Sequence, residues 1–516
     1  MAGPSSAAPR PSARVVVIGG GLAGMTAARE LAERGVRPLL LEASTRLGGK
    51  AGAEQENGIR LDHGYHVFPG WYANTRRLLE ELGLSPHLID IERVHYVKPG
   101  QFPRLCTLHS MTSPRHLWAN LRAGLVPWHD AILASYFALD LASTSFDQRS
   151  YLDRVSANGY LRSRLYATDG VARAHHHFVL QAASIPNYEM SAMTAKRITA
   201  SWFRVPNPIF SILDGDLQSR FIDPFTRCNE KLGVETRLEQ RVAGFDLEGC
   251  RVARVRLAGA EPIALGPRDA VVLTTPHGVT TDLVDDALFT AERAAAPNED
   301  EKLLSHLVHL RSAPMAAFHV FLQGRVSGIP KEHTVLLDTP AELSFVDISQ
   351  HWSGFDTTVL SCIASDFAPL ARLSAEAMQA HLVRELIGAL NGAVSERDVD
   401  WSRTCVFANV ATPLFLNTVG AWSYRPNTKT RLANLYVAGD WCRTGVDLTT
   451  MEGAVASGQA TAAHVLRSLG IARARQPIEI PHWPDWLLRA AALAGLPAVL
   501  ALRGALWARE RLAAAR

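Results

Sequence analysis

Cysteine is scarce in this chain, which has six in 516 residues. The six are far apart and form no C-x-x-C pair; they are Cys106, Cys228, Cys250, Cys362, Cys405 and Cys442. This spacing excludes a disulfide scaffold and the common cysteine-based metal sites, and it is typical of a reducing compartment. We therefore expect a cytoplasmic protein. We expect no metal, since the consecutive histidines at 175–177 point in different directions and cannot share one ion.

The chain also lacks an excess of charge of either sign. Its 53 basic and 50 acidic residues leave a formal net charge of +3, and the basic residues are scattered. No nucleic-acid partner is therefore expected. A 47% apolar content with 20% charged residues is instead typical of a folded globular protein, and the length suffices for two domains or more.

The amino terminus has no apolar core of the kind that a secretory signal needs. Residues 1–13 are rich in Ser, Ala and Pro. We interpret them as a disordered leader. The alternative is a transit peptide, because the segment, although short, is rich in Ser, Ala and Arg.

A strand–loop–helix unit follows directly. The apolar run Val15–Ile18 predicts a strand buried on both faces. It leads into a G-x-G-x-x-G motif formed by Gly19, Gly21 and Gly24, and an Ala-rich segment with helical spacing comes next. The three glycines respectively allow a tight turn, close approach of the backbone to a pyrophosphate, and close packing of helix on strand. The helix N-terminus attracts the phosphates.

The next segment strengthens the prediction of dinucleotide binding. A second predicted strand, Arg37 to Leu41, ends in Glu42, which is placed to bind the ribose hydroxyls of an adenosine. In EASTRLGGKAG, Arg46 can reach the pyrophosphate, and Gly48 and Gly49 let the backbone pass close to the cofactor. These residues leave NAD and FAD both open.

A second unit near the carboxyl end favours FAD. An apolar run ends in Gly439 and Asp440, which would place a carboxylate near the ribityl chain or the pyrophosphate. A helix predicted to begin at Thr450, with Met451 and Glu452 in its first turn, directs its N-terminus at the flavin carbonyl that gains negative charge on reduction. An NAD site has no need of such a second unit, so FAD is the predicted cofactor.

Three further blocks resemble segments of the plant- and cyanobacterial-type carotene desaturases. They are LDHGYHVFPGWYANTRRLLEELG from Leu61, SILDGDLQSRF from Ser211 and MEGAVASG from Met451. That family includes squalene-forming dehydroxylases and belongs to the wider flavin amine oxidase and GDI-like superfamily. The resemblance extends from residue 14 to about 468. It implies FAD, an apolar isoprenoid substrate and a membrane quinone as electron acceptor.

The resemblance also implies the fold class. It is α/β, with a Rossmann-type FAD-binding domain of the amine-oxidase (GR2) kind and a second, α+β substrate domain. In this fold the backbone of Val242 would meet the adenine edge. The expected divisions are a discontinuous FAD-binding domain (14–90, 211–284 and 426–470), a helical, membrane-facing and substrate region (91–210), a substrate-binding domain (285–425) and a C-terminal amphipathic helix (471–516).

Two residues are candidates for catalysis. Desaturation requires hydride transfer to flavin N5 and loss of a proton from the adjacent carbon, and the protein mainly orients the substrate. Arg220 matches the family arginine at the flavin and quinone site; the alternative is a salt bridge to a nearby aspartate. His66 has an apolar setting, where a buried histidine held by backbone is the alternative. Asp440 and Glu452 are interpreted as cofactor contacts or structural caps.

Two segments predict contact with a membrane surface. Leu117–Ala142 is apolar, and the family uses the corresponding region to enter lipid. In the tail, the uncharged run from Ala490 to Leu502 has 13 residues and includes Pro497, which we interpret as too short to span a bilayer. Tryptophans and arginines flank the run, as in an interfacial helix. The alternative is a helix packed on the protein or on a dimer partner.

Two other functions stay open at this point. A flavin amine oxidase usually places a lysine across the flavin from its substrate, whereas residues 285–425 contain only Lys302 and Lys331. A non-enzymatic prenyl-lipid carrier of the GDI type needs no flavin half-site, so the unit at 438–459 counts against it.

Overall fold

The structure, a computed structural model, describes residues 13–56, 58–110, 112–144, 149–296, 303–471, 474–479 and 485–515. Apart from residue 13, the predicted leader lies outside the described residues.

Twenty-two strands run through the described residues. The strands are β1 (Arg14–Ile18), β2 (Arg37–Leu41), β3 (Ala53–Glu56), β4 (Ile59–Asp62), β5 (Phe68–Pro69), β6 (Leu88–Ile91), β7 (Arg93–Val97), β8 (Cys106–His109), β9 (Phe210–Leu213), β10 (Glu235–Arg237), β11 (Val242–Glu248), β12 (Arg251–Leu257), β13 (Ala260–Ala264), β14 (Ala270–Leu273), β15 (Arg311–Ala313), β16 (Ala316–Phe321), β17 (Thr334–Leu336), β18 (Leu343–Asp347), β19 (Val359–Ala364), β20 (Cys405–Ala408), β21 (Leu414–Leu416) and β22 (Leu435–Val437).

Helices alternate with these strands and also fill the stretch between β8 and β9. The helices are α1 (Leu22–Ala32), α2 (Ala73–Glu81), α3 (Pro114–Arg122), α4 (Trp128–Ser143), α5 (Arg149–Arg154), α6 (Ala157–Arg162), α7 (Asp169–Ala183), α8 (Ala192–Arg204), α9 (Asp223–Lys231), α10 (His277–Leu283), α11 (Asp286–Ala294), α12 (Ala375–Ala389), α13 (Ala421–Tyr424), α14 (Met451–Ser468) and α15 (Asp485–Ala514).

A five-stranded parallel sheet unites the two ends of the chain. Its order is β10-β2-β1-β14-β22, so the strand before the glycine motif and the strand before Gly439 are separated by β14 alone. Each of β1, β14 and β22 is almost wholly buried, as their apolar runs predict. This sheet confirms the Rossmann-type α/β prediction.

Helices α1 and α14 pack against each other beside this sheet. A Cβ at Gly458 would lie 2.5 Å from the carbonyl oxygen of Ala23, so only glycine permits this approach. The contact holds the N-termini of the two helices, and hence the two predicted halves of the cofactor site, in one place.

A second sheet has seven strands in the order β20-β16-β19-β18-β17-β7-β8. Strands β7 and β8 belong to the predicted region 91–210, yet β7 pairs in parallel with β17 of the predicted substrate domain. That region therefore begins with two strands of this seven-stranded sheet, and its helices α3–α8 follow. The sequence did not indicate this pairing, because β7 and β17 are more than 230 residues apart.

A buried carboxylate joins α14 to α2. Glu452 has no exposed surface, and its Oε1 accepts hydrogen bonds from the backbone N and Nδ2 of Asn74 at 2.9 and 2.8 Å. Its Oε2 accepts from the backbone N and Oγ1 of Thr75, both at 2.8 Å. The N-cap residue of α2, Tyr72, makes no side-chain cap of its own. Glu452 therefore caps α2 from a helix that is distant in sequence, which is one of the two roles that the sequence analysis gave it.

The C-terminal helix packs along α4. The Tyr136 hydroxyl donates to the carbonyl of Ala492 at 2.8 Å, and Val499 is buried against the same helical cluster. The helix continues through Pro497, and Trp486–Ala514 is long and apolar enough to cross a membrane by length and composition. The helix is therefore longer than the 13-residue uncharged run that the sequence analysis judged too short to span a bilayer. One face of α15 packs on α4, as the packed-helix alternative predicts.

We expect Glu452→Gln to lower the apparent Tm, because the amide retains the shape but turns a donor toward the donors of Asn74 or Thr75. An unsatisfied buried group of this kind costs about 1–3 kcal/mol. The matched control is Glu376→Gln, the same change on the exposed first turn of α12. Thermal unfolding followed by circular dichroism gives the comparison; equal Tm values for the two variants would contradict the capping role.

Candidate active site

The glycine motif forms the loop between β1 and α1 as predicted. Gly19 has a φ of +107°, and a Cβ at Gly24 would lie 2.0 Å from the Gly19 carbonyl oxygen. A Cβ at Gly21 meets no protein atom within 4 Å. Gly21 is the N-cap of α1 and no side chain caps this end. The loop thus presents backbone N–H groups and open space, which is what a pyrophosphate requires.

Glu42 lies directly against this loop. Its Oε2 accepts the backbone N–H of Gly20 at 2.6 Å, and its Oε1 accepts the backbone N–H of Ser44 at 2.8 Å. Gly48 donates its N–H to the Gly20 carbonyl at 2.8 Å. The predicted ribose-binding carboxylate and the predicted second glycine loop are therefore both adjacent to the first loop.

Gly49 and Val242, two other predicted cofactor contacts, lie on the same side of the site as the glycine loop. A Cβ at Gly49 would lie 3.3 Å from the Cα of Gly21, so the two loops touch. The backbone N–H of Gln240 donates to the carbonyl of Glu42 at 2.8 Å, which brings the start of β11, at Val242, beside the nucleotide end. The adenine contact of Val242 stays a prediction.

Arg46 pairs within the protein. Its guanidinium bonds the carboxylate of Glu54, which also contacts Nε2 of His63 at 3.0 Å. Burial opposes ionisation of Glu54, but the hydrogen bonds from Arg46 and His63 outweigh it and lower the pKa. The pyrophosphate contact predicted for Arg46 stays a prediction.

At the other end of the site, Arg425 organises the loop after β22. Arg425 is 1% exposed, and its guanidinium donates to the carbonyls of Asp440 at 2.5 Å, Cys442 at 2.8 Å and Asp447 at 2.6 Å. These three bonds from a rigid planar group fix the loop that contains Asp440, and a fourth bond joins Arg425 to Asn417 Oδ1 at 2.8 Å. The sequence analysis did not identify Arg425, because its partners are backbone carbonyls that leave no pattern in the sequence.

Helix α14 begins where it was predicted to begin. Thr450 is its N-cap, and Thr450 Oγ1 accepts the backbone N–H of Gly453 at 3.0 Å. Met451 is partly buried between two apolar clusters. The positive end of the helix dipole therefore lies at Thr450.

Lys50 is a site residue that the sequence analysis missed. It is partly buried, donates from Nζ to the Pro413 carbonyl at 2.8 Å, and lies close enough to Asp440 to affect its charge. Burial raises the pKa of Asp440, and Lys50, Arg425 and His277 oppose that rise. Burial also lowers the pKa of Lys50. Its position directly after Gly48-Gly49 was the available signal, since that loop was already assigned to the cofactor.

The two candidate catalytic residues have protein partners. His66 Nδ1 is 2.9 Å from the Gly64 carbonyl oxygen, and burial lowers the His66 pKa to about 4, so the ring is neutral at pH 7. Arg220 Nε lies 2.9 Å from Asp214 Oδ1, and its side chain is 36% exposed. His66 is thus held by backbone, and Arg220 forms a salt bridge to an aspartate, which are the alternatives to catalysis given above. The catalytic roles stay predictions.

The three consecutive histidines diverge as predicted. His175 meets the ring edge of Phe137, His176 stacks on Tyr188, and His177 lies between Asp338 and Glu342. Within the described ranges, no group of three or more His, Cys, Asp or Glu is placed to hold a metal ion.

A large apolar cavity adjoins the N-terminus of α14. Its volume is about 1310 Å³, above the 300–1,000 Å³ usual for small-molecule sites. Thr449 and Thr450 line one part, and Leu117 of α3 and Ala134 of α4 line another. Trp71, Tyr72 and Trp202 contribute aromatic surface. The cavity therefore connects the predicted flavin end with the two helices that the sequence assigned to the membrane.

We expect Gly21→Val to yield a colourless protein, because the branched side chain would occupy the open space beside the N-terminus of α1. The control is Gly278→Val, since a Cβ at Gly278 also meets nothing within 4 Å and this residue is exposed in α10. The flavin-to-protein ratio from the absorption spectrum is the measurement. Stoichiometric flavin in Gly21→Val would contradict the placement of the pyrophosphate.

Comparison with known proteins identifies the family of this chain. Residues 22–466 match the family model described as flavin containing amine oxidoreductase. The chain is 24% identical over 482 residues to 15-cis-phytoene desaturase of an Oncidium hybrid cultivar, covering 89% of this chain and 78% of the relative. It is 25% identical over 479 residues to the same-named protein of Synechococcus elongatus, covering 88% and 96%.

Solved structures share the fold. A putative protoporphyrinogen oxidase from Exiguobacterium sp. 255-15 superposes with a TM-score of 0.65 at 20% identity, covering 90% of this chain and all of the other. A putrescine oxidase double mutant gives 0.64 at 18%, covering 89% and all of the other. The open loop at Gly21 and the capped helix at Thr450 fit an extended FAD, which is the cofactor. The chain belongs to the flavin-containing amine oxidoreductase family, among its carotene desaturase-like members.

Proposed function

We propose that this FAD-dependent oxidoreductase removes hydrogen from an acyclic isoprenoid lipid, as a carotene desaturase does. The observation that carries the proposal is the apolar cavity, which reaches Thr450 at the N-terminus of α14. Bound FAD supplies the hydride acceptor. The protein holds a hydrocarbon chain against the cofactor and excludes water, which needs apolar surface and no strong acid or base.

The cavity wall disfavours an amine substrate. Among its described lining residues the sole carboxylate belongs to Asp338, and Nε2 of His177 lies 3.5 Å from it. The wall also includes the cationic side chains of Lys98 and Arg173. A protonated amine would thus meet positive charge and little compensating negative charge.

The cofactor end concentrates the charged groups. Lys50, Asp440 and His277 influence one another there, and Lys50 provides a partly buried cation that stabilises negative charge on a reduced cofactor. His66 is proposed to hold the segment around it in place, since its chain neighbours Tyr65 and Val67 line the cavity. Arg220 is proposed to face a quinone acceptor, because it is half-exposed and outside the cavity wall.

The protein is also proposed to lie on a membrane surface, through exposed apolar side chains on three helices. On α3 and α4, Trp118 and Trp128 are 59% and 60% exposed. On α15, which packs against α4, Trp486 and Leu493 are 70% and 62% exposed. Because α3 and α4 also line the cavity, a lipid could pass from the bilayer to the site without crossing water.

The substrate class is tested by anaerobic reduction of the bound flavin. We expect an acyclic polyprenoid such as phytoene, in detergent micelles, to bleach the flavin absorption band, and primary amines such as putrescine to leave it unchanged. Stopped-flow absorbance gives both rates. Rapid bleaching by an amine with no response to polyprenoids would reject the proposal in favour of an amine oxidase.

The membrane surface is tested by the double variant Trp118→Glu, Trp128→Glu. We expect binding to liposomes that contain phosphatidylglycerol to fall about tenfold or more, because two interfacial anchors become negatively charged. Trp401→Glu is the control, since Trp401 is 37% exposed and belongs to none of these helices, lying between α12 and β20 in the chain. Flotation with equal flavin content in all proteins is the measurement. An equal loss in the control would show a general charge effect and contradict the proposed surface.

A further inference from the structure

A small group of polar side chains interrupts the apolar wall of the cavity. Tyr65, His333 and Ser344 line it, and they are 9%, 8% and 1% exposed. The Tyr65 and His333 rings contact edge to face with centroids 5.4 Å apart, and the Tyr65 Oη lies 2.6 Å from Ser344 Oγ. These three residues form one cluster, here named the polar patch.

The polar patch has unused hydrogen-bonding capacity. Two hydroxyl groups carry two protons, but the bond between Tyr65 and Ser344 uses one, and neither oxygen has a second hydrogen bond to the residues that the structure describes. Burial raises the pKa of Tyr65, so its hydroxyl keeps its proton. One donor is therefore left without an acceptor.

His333 adds two more unused positions. Its Nδ1 is buried without a partner. Its Nε2 makes no hydrogen bond to the described residues. Burial lowers the His333 pKa to about 4, so the ring is neutral at pH 7 and offers one donor and one acceptor. A neutral ring suits a neutral oxygen, and it provides no charge for a carboxylate or a diphosphate.

Some other polar side chains on the wall are paired, whereas the ring nitrogens of His175 and Nε1 of Trp71 also lack a partner among the described residues. The polar patch differs from these two in joining three adjacent polar side chains. Ser110 Oγ donates to the Pro206 carbonyl at 2.6 Å, and Lys98 Nζ donates to the Gly124 carbonyl at 2.6 Å. Buried polar groups without partners are uncommon, because each costs about 1–3 kcal/mol. The polar patch thus has the composition of a binding site for a group that is absent from the protein itself.

We propose that the polar patch binds one hydroxyl or carbonyl oxygen of the substrate, so that this enzyme acts on an oxygenated isoprenoid. The proposal rests on the proposed function, in which the apolar wall holds the hydrocarbon part of the substrate. The oxygen accepts the free hydroxyl proton of the Tyr65–Ser344 pair and exchanges a hydrogen bond with His333. Its position fixes which carbon of the chain reaches the cofactor.

The test compares two ligands that differ by one oxygen. Geranylgeraniol and the hydrocarbon of the same skeleton, with hydrogen in place of the hydroxyl, are titrated in micelles into the FAD-loaded enzyme. Quenching of tryptophan fluorescence reports binding, since Trp71 and Trp202 line the cavity. We expect the alcohol to bind about tenfold more tightly, as one to two net hydrogen bonds allow.

His333→Phe should remove this preference by weakening the alcohol about tenfold, while the hydrocarbon binds as before, because phenylalanine keeps the ring contacts with Tyr65 and Phe210. Tyr65→Phe serves if His333→Phe fails to retain FAD. Ser110→Ala, at a paired hydroxyl of the wall, should leave the preference intact.

Equal binding of the two ligands by the unmodified enzyme would overturn the proposal, and would indicate that buried water satisfies the polar patch. An equal loss for both ligands in His333→Phe would also overturn it, since that result describes a packing role. A retained alcohol preference without flavin reduction by any polyprenoid would support the polar patch while rejecting the proposed reaction.

Discussion

The four hydrogen bonds to the buried carboxylate of Glu452 connect parts of the chain that are otherwise remote. A carboxylate without solvent is strongly unfavourable unless its lone pairs are used, and burial raises the pKa of Glu452 even though Asn74 and Thr75 oppose the rise. Two of the four donors are backbone N–H groups in the first turn of α2, a helix end that has no local side-chain cap. Each side therefore satisfies the other, and neither helix can shift alone.

That constraint sets the shape of the substrate end. The residues before α2, Trp71 and Tyr72, form cavity wall, and Thr450 at the start of α14 lines the same cavity. Asn74 also exchanges hydrogen bonds with the backbone of Ile478, at 2.7 and 3.0 Å. The segment around Ile478 is thus attached at the same junction, so α14, the cavity wall and part of the C-terminal segment share one anchor.

Local sequence predicted the elements whose chemistry is local. The β1–loop–α1–β2 unit and the start of α14 at Thr450 lie where glycine spacing, apolar runs and an N-cap residue placed them. Arg425 could not be found in this way, because its role is to bond carbonyls brought together by the loop after β22. The pairing of β7 with β17 and the packing of α15 on α4 are likewise long-range choices, which no pattern within either segment specifies.

The distribution of charge in the site follows from the energetic cost of burying an unpaired charge. At the predicted cofactor end, Lys50 and Arg425 oppose the rise that burial causes in the pKa of Asp440, so these opposite charges compensate one another in a partly buried place. Along the cavity, histidines such as His333 are neutral because burial lowers the pKa to about 4, and no ion pair is needed. A hydrocarbon chain would then encounter van der Waals contacts over most of its length. Orientation of such a chain requires an asymmetry in the wall, and unpaired neutral polar atoms provide that asymmetry without the desolvation penalty of an ion.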